Sequence, residues 1–265
     1  MKFKILVTND DGIEAPGIKE LVEALHPIAD LWVVAPESEQ SGKSLSITTI
    51  EPIALKQVER FGSIPAWSIR GTPADCTKIG LSILHLKPDL IVSGINKGSN
   101  AGRNVLYSGT VGGIVEGVLR GIPGIAFSCC DIKDPEYSRL SPFIPPIVEY
   151  ILKNPLPSGT LLNVNFPHTK ESMPWPIVTE IQGVKLTRQG KGYWIERVIE
   201  SQTSHSHVKF GAQALIYEEE LDSDMHWLKL GYIAAVPIHV DELTDWRYFH
   251  GHKDPFEQIT SCPLS

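Results

Sequence analysis

The chain runs to 265 residues, 42% of them apolar, which is enough for a core without disulfides or a structural metal. Its 24 lysines and arginines stand against 31 aspartates and glutamates, a net charge of −7. That balance excludes a general nucleic-acid binder, which needs a cationic surface to neutralise phosphates, but it allows a small phosphorylated ligand held at one local site.

The elements then follow in order. Phe3–Thr8 is a short apolar run of β-formers. Pro16–His26 carries Ile18, Leu21, Val22 and Leu25 at helical spacing, and Leu31–Ala35 is a second apolar run. Thr72 reads as an N-cap, with Pro73 at the first helical position and Asp75 three residues after the cap. Leu90–Ser93 is a third strand, Thr110–Arg120 a helix and Gly124–Ser128 a fourth strand. Strands and helices in alternation, with the strands apolar throughout, predict an α/β fold: a Rossmann-like, mostly parallel sheet with helices on both faces.

The texture changes after Pro142. Pro145-Pro146 opens a helix over Ile147–Leu152, and Leu161–Phe166 is a further strand. Beyond it, β-type runs at Tyr193–Ile199, His207–Phe210 and Tyr232–Ile238 sit among polar turns and predict antiparallel hairpins or long arms. Apolar face residues thin out there, so the arms are expected to pack on a partner subunit. The expected division is a catalytic core over 1–167 and a strand-rich part with oligomerisation arms over 168–265. The acidic run Glu218-Glu219-Glu220 with Asp222 and Asp224 reads as a solvated face.

No apolar run reaches the roughly 18 residues of a membrane span, and the opening stretch through Val7 is too short for a secretion signal. Four cysteines, at 76, 129, 130 and 262, form no CxxC pair and read as reduced thiols. The expectation is a cytoplasmic protein with neither a membrane nor a nucleic-acid polymer as partner.

In a parallel sheet, ligands bind beyond the carboxyl ends of the strands. Asn9, Asp10, Asp11 and Gly12 follow the first strand, Glu37 to Gly42 the second, and Asn96 lies just after the third. Adjacent Asp10 and Asp11 repel one another unless a cation offsets them. The other donors nearby are amide and hydroxyl oxygens, a set that suits a hard cation such as Mg²⁺ or Mn²⁺ better than zinc. The plain alternative is a turn with solvated carboxylates; convergence with Ser41 and Asn96 favours the cation. Ser108-Gly109-Thr110 opens the helix that follows, where free N–H groups and the positive dipole end make an anion site; an ordinary capped helix is the alternative. Gly112, Gly113 and Gly117 weaken that helix by roughly 1 kcal/mol each relative to alanine, which close packing on the sheet would offset.

Several look-alikes are set aside. His205-Ser206-His207 and His250-Gly251-His252 lack a third zinc ligand at helical spacing, and Gly190-Lys191-Gly192 lacks the context of a dinucleotide fingerprint. Neither GxxxxGK[ST] nor GxSxG occurs.

Together these motifs resemble the SurE family, the stationary-phase survival protein nucleotidases. Ile5 to Gly12 with Ala15-Pro16-Gly17-Ile18 matches the family's opening. Val34-Ala35-Pro36 leading to Gln40-Ser41-Gly42, Gly71 to Cys76, Ser93 to Asn96 with Gly98 and Asn100, and Tyr107 to Val111 with Glu116-Gly117 follow in order. A weaker match runs from Gly231-Tyr232 to Thr244-Asp245. One departure is Asn104, where the family usually has aspartate.

The resemblance implies a phosphohydrolase of nucleoside 5′-monophosphates, with 3′-monophosphates and short polyphosphate as further substrates to test. It implies one divalent ion per subunit, Mg²⁺ or Mn²⁺, on Asp10, Asp11, Ser41 and Asn96, and a homodimer or homotetramer with a swapped arm. In the expected mechanism Asp10 or Asp11 is the general base, Asp10 by preference, with Asn9 beside it. Asn9, Gly42, Ser108, Gly109 and Thr110 hold the phosphate. A non-catalytic nucleotide or phosphate binder and a metal-dependent nucleotide-sugar transferase are the competing readings.

Overall fold

A computed structural model describes residues 2–170, 176–198, 210–215 and 218–258. Its centre is a nine-stranded sheet. In chain order the elements are β1 (Phe3–Thr8), α1 (Pro16–Leu25), β2 (Ala29–Pro36), β3 (Leu55–Val58), β4 (Ala66–Ile69), α2 (Pro73–Ser82) and β5 (Leu90–Lys97). After a 3₁₀ turn over Gly102–Tyr107 come α3 (Gly109–Val118), β6 (Gly124–Cys129), α4 (Tyr137–Leu140), α5 (Ile144–Lys153) and β7 (Thr160–Phe166). The remainder is β8 (Val184–Leu186), β9 (Tyr193–Val198), β10 (Phe210–Leu215), α6 (Asp224–Lys229), β11 (Ile233–His239) and α7 (Trp246–Gln258).

The strand order is β3-β4-β2-β1-β5-β6-β7-β11-β8. From β4 to β7 all neighbours are parallel, while β3 and β11 run antiparallel to β4 and β7. Side chains alternate between two cores, as a strand's period of two requires. Ile5, Val7, Val92 and Phe127 join α1 and α5 on one face, whereas Leu6, Ile91 and Ala126 join α2 and α3 on the other. The expected α/β fold, with a mostly parallel sheet covered on both faces, is what forms. Local signals did much of the placing. Thr72 and Asp75 close a reciprocal capping box with Pro73 in the first turn of α2, and a proline also sits in the first turn of α5.

Two expectations change. The run read as Tyr232–Ile238 was assigned to hairpins or arms; it is β11, and it pairs with β7 in the main sheet. Its Ile233, Ala234, Ala235 and Val236 are buried there, which answers where their apolar surface goes. The acidic run is not simply solvated. Asp224 is fully buried and accepts N–H bonds from Gly102 and Gly190, while Glu219 accepts those of Lys191 and Gly192. Asp224 thereby ties the segment before β9 to the 3₁₀ turn. β9 and β10 form a two-stranded pair apart from the main sheet. His205, Ser206, His207 and Cys262 lie outside the described residues, as does most of the strand read at His207–Phe210. Among the described residues no helix is long and apolar enough to cross a membrane.

Candidate active site

Four segments meet at the carboxyl edge of β1. The backbone N–H of Gln40, beyond β2, reaches the Asp10 carbonyl at 2.7 Å. The N–H of Lys97, at the end of β5, reaches Asp11 Oδ2 at 3.0 Å. Thr110, in the first turn of α3, donates its hydroxyl to Asp10 Oδ1 at 2.6 Å. Ser44 donates its N–H to the carbonyl of Tyr107 at 3.2 Å, which draws the loop carrying Ser41 and Gly42 over the start of α3.

Asp10 is only 3% exposed. Burial raises its pKa, against the hydroxyl and N–H of Thr110, which favour the anion. Beside it Asp11 is pushed up to about 6, first by burial and then by the negative charge of Asp10, with the N–H and ammonium of Lys97 opposing. Two carboxylates, both destabilised as anions and side by side, form a site that a cation relieves. The negative charge of Glu39 adds to both shifts, and Glu39 holds the Ser41 hydroxyl; the other donors nearby are the neutral oxygens of Asn9, Ser41 and Asn96. The donor chemistry therefore fits a hard divalent ion.

Each of the other expected residues has a definite place. Asn9 is fully buried; its Nδ2 donates to the Gly12 carbonyl at 2.8 Å, and its Oδ1 has no partner among the described residues. Asn96 is buried, with Nδ2 on the Gly98 carbonyl at 2.7 Å. Ser41 is exposed, and its hydroxyl donates to Glu39 at 2.8 Å, so the structure turns it toward a neighbouring carboxylate. Gly42 has a left-handed φ of +72° with open space where a Cβ would stand. Ser108 Oγ accepts the Val111 N–H at 3.1 Å as the cap of α3, leaving its own proton for a further acceptor.

Thr110 and Gly109 both stand against the Asp10 carboxylate. The Thr110 hydroxyl donates to Asp10, and its side chain is fully buried. A Cβ on Gly109 would lie 2.8 Å from Asp10 Cβ, so the close approach that glycine permits there is by the carboxylate. The N-terminus of α3 thus holds Asp10 before it holds any ligand.

Sequence reasoning gave no role to Ser128, Asn163 and Asn165, and saw Asn100 only as part of a motif. All four are buried polar residues behind Asp10. The signal was Asn163 and Asn165 alternating inside the apolar run of β7, since a buried polar residue on a strand demands partners. On the other side of Asp11 a cleft of about 720 Å³ opens, bordered by Pro16, Glu39, Lys97, Tyr137 and Lys170.

The family model described as Survival protein SurE matches residues 5–196. The chain belongs to the SurE family. It is 46% identical over 262 residues to the 5′-nucleotidase SurE of Protochlamydia amoebophila, covering 97% of this chain and 98% of the relative. The 5′-nucleotidase SurE of Bacteroides thetaiotaomicron is 40% identical over 242 residues, 89% of this chain and 90% of that one. The crystal structure of the SurE protein from Aquifex aeolicus matches with a TM-score of 0.77 and 35% identity over 96% of this chain and 99% of that chain. The resemblance read from the motifs is borne out. At the departure from the usual SurE pattern, Asn104 Oδ1 accepts the Trp194 N–H at 2.9 Å and so fastens the start of β9.

His252 stacks on Tyr248 at 4.2 Å within α7. Cys76, Cys129 and Cys130 are buried and free, and burial raises all three thiols, Cys130 to about 12, which disfavours the reactive thiolate.

Proposed function

We propose that this chain is a divalent-metal-dependent phosphohydrolase that removes phosphate from nucleoside 5′-monophosphates. The observation that carries the reading is the adjacent pair Asp10 and Asp11, both raised by burial and with oxygen donors rather than nitrogen or sulfur beside them. Asp10, Asp11, Ser41 and Asn96 would hold one Mg²⁺ or Mn²⁺ per subunit. When bound, such an ion neutralises phosphoryl oxygens and acidifies a water.

The chain's own groups supply the rest. Asp10 accepts the proton of the attacking water on the oxygen that Thr110 does not hold. Asn9, fully buried beside Asp10 with its Nδ2 on the Gly12 carbonyl, shapes the turn that presents the two carboxylates. The Ser108 hydroxyl and the backbone N–H groups of Gly109 and Gly42 receive phosphate oxygens as neutral donors. Thr110 acts on the phosphate through Asp10. Phosphoryl transfer depends chiefly on such positioning and charge stabilisation.

The SurE relatives named as 5′-nucleotidases support the substrate class. A cytoplasmic location, a core over 1–167, and arms over 168–265 that join copies into a homodimer or homotetramer complete the reading.

A phosphate-release panel over nucleoside 5′- and 3′-monophosphates, a nucleotide sugar and short polyphosphate tests it. Phosphate should appear from 5′-monophosphates, stop on chelation and return with Mg²⁺ or Mn²⁺. Asp10→Asn and Asp11→Asn should each lower kcat by roughly 10²-fold or more. Full activity after exhaustive chelation defeats the mechanism. Nucleotide binding without release, or turnover of the nucleotide sugar alone, favours the competing classes.

A further inference from the structure

The hydroxyl of Thr110 has one proton to give and two lone pairs to offer. Its Oγ1 lies 2.6 Å from Asp10 Oδ1 and 3.2 Å from Asn100 Nδ2. An amide nitrogen carries only protons, so Asn100 takes a lone pair of Thr110 and leaves the Thr110 proton nowhere to go but Asp10. The other Nδ2 proton is given to Ser128 Oγ at 2.8 Å. If the carboxamide were turned over, its oxygen would draw the Thr110 proton away and Asp10 would lose the bond. One amide orientation therefore sets the direction of the whole chain.

The backbone that carries this amide is held on both sides. Asn100 donates its backbone N–H to Asn165 Oδ1 at 2.8 Å and accepts at its carbonyl from Asn163 Nδ2 at 2.9 Å. Both partners project from β7, the strand two places from β5 in the sheet. Asn100, Thr110, Ser128, Asn163 and Asn165 are all at least nine-tenths buried. Apolar side chains would fill this space without the desolvation such a network entails. The network instead ends on a single oxygen of the carboxylate at the site.

We infer that Asn100 is a positioning residue, which fixes the Asp10 carboxylate for its metal and its water by directing the Thr110 hydroxyl. The inference rests on the reading of Asp10 as part of a metal site.

The test is a double-mutant cycle of Asn100→Leu and Thr110→Val, read as Mn²⁺ affinity by electron paramagnetic resonance without substrate, and as kcat and KM with nucleotide. Each single change should weaken Mn²⁺ binding or lower kcat about tenfold or more, as loss of an outer-shell partner does. The double variant should be no worse than Thr110→Val alone, because both residues act on one bond, and Thr110→Ser should restore most of the loss. Additive losses overturn the inference, as does an Asn100→Leu protein that melts lower yet binds Mn²⁺ and turns over like the wild type. If Asn100→Leu does not fold, neutron diffraction on the wild type decides. A deuteron on Thr110 Oγ1 directed at Asp10 upholds the inference, and one directed at Asn100 overturns it. A wild type that binds no Mn²⁺ would instead defeat the metal reading, so the two failures are distinct.

Discussion

Gly109 is where one missing methyl decides whether Asp10 can stand where it does. A Cβ there would lie 2.8 Å from Asp10 Cβ and 2.9 Å from Oδ2, closer than such contacts allow. Alanine is the better helix former, so Gly109→Ala should leave the melting temperature within a few degrees of the wild type. It should nevertheless lower kcat by roughly 10²-fold, because displacing a reacting group by about 1 Å has that effect. Unchanged turnover, measured as phosphate release beside a melting curve, would mean that Asp10 has room to retreat. The adjacency of Asp10 and Asp11 was legible from the chain alone, since two neighbouring carboxylates pose their own problem. That Thr110, 100 positions away, answers it was not. A hydroxyl in the first turn of a helix looks the same whether it faces a ligand or a carboxylate.

Elements with strong local signals were legible nearly to the residue. β1 forms at Phe3–Thr8 as expected, and the cap of α2 is Thr72. The four-residue strands β3 and β4 passed unnoticed because so short a run carries too little pattern. The place of β11 was missed for a different reason: alternation marks a strand but not its neighbour. The cap of α2 also does more than end a helix. Asp75 accepts the Thr48 N–H at 2.9 Å, the Thr48 hydroxyl at 2.7 Å and the Thr72 N–H at 3.0 Å, while Thr72 donates its hydroxyl to the Ser46 carbonyl at 2.7 Å. It thereby anchors the far end of the loop that carries Ser41 and Gly42. Asp75→Ala should destabilise the protein by about 3 kcal/mol, the sum of a lost cap and lost bonds to a charged acceptor. Urea denaturation checks this, and a loss below about 1 kcal/mol would mean that the loop holds without Asp75.

For the molecule as a whole, acid stability has an identifiable centre at Asp131, behind the cleft that Lys170 borders. Asp131 is buried, which alone would raise its pKa. His168, the hydroxyl and N–H of Thr169 and the N–H of Lys170 outweigh that and hold it down to about 2. A carboxylate lowered on folding contributes stability that is complete above its unfolded pKa, near 4. That contribution is lost as pH falls through about 2. Stability should therefore drop between about pH 4 and 2, and in Asp131→Asn this part of the drop should vanish at the expense of stability at neutral pH. Melting curves across that range, run on both proteins, would refute the idea by staying parallel. Assembly belongs to this scale too. α7 exposes Trp246 and Phe256 at 47% and 67%, and the β9–β10 pair stands outside the main sheet. Light scattering at micromolar concentration should find at least a dimer; a stable monomer would overturn the proposed arms.

The glycines of α3 have a consequence for anyone who tries to engineer this protein. Replacing helical glycine with alanine is among the standard routes to thermostability, gaining roughly 1 kcal/mol at each site. Here a methyl at position 112 would sit 2.1 Å from the carbonyl oxygen of Ser44, which backbone cannot yield. At position 117 it would sit 2.1 Å from Cδ1 of Ile91, a fully buried side chain packed into the core, so alanine there requires that core to repack. A stabilising library should therefore reject alanine at 112 and at 117 alike. The helix beside Asp10 is left intrinsically weak, dependent on its neighbours for order. Its amide protons should exchange in step with the opening of the loop that holds Ser44, so that local breathing and access to the site become one event.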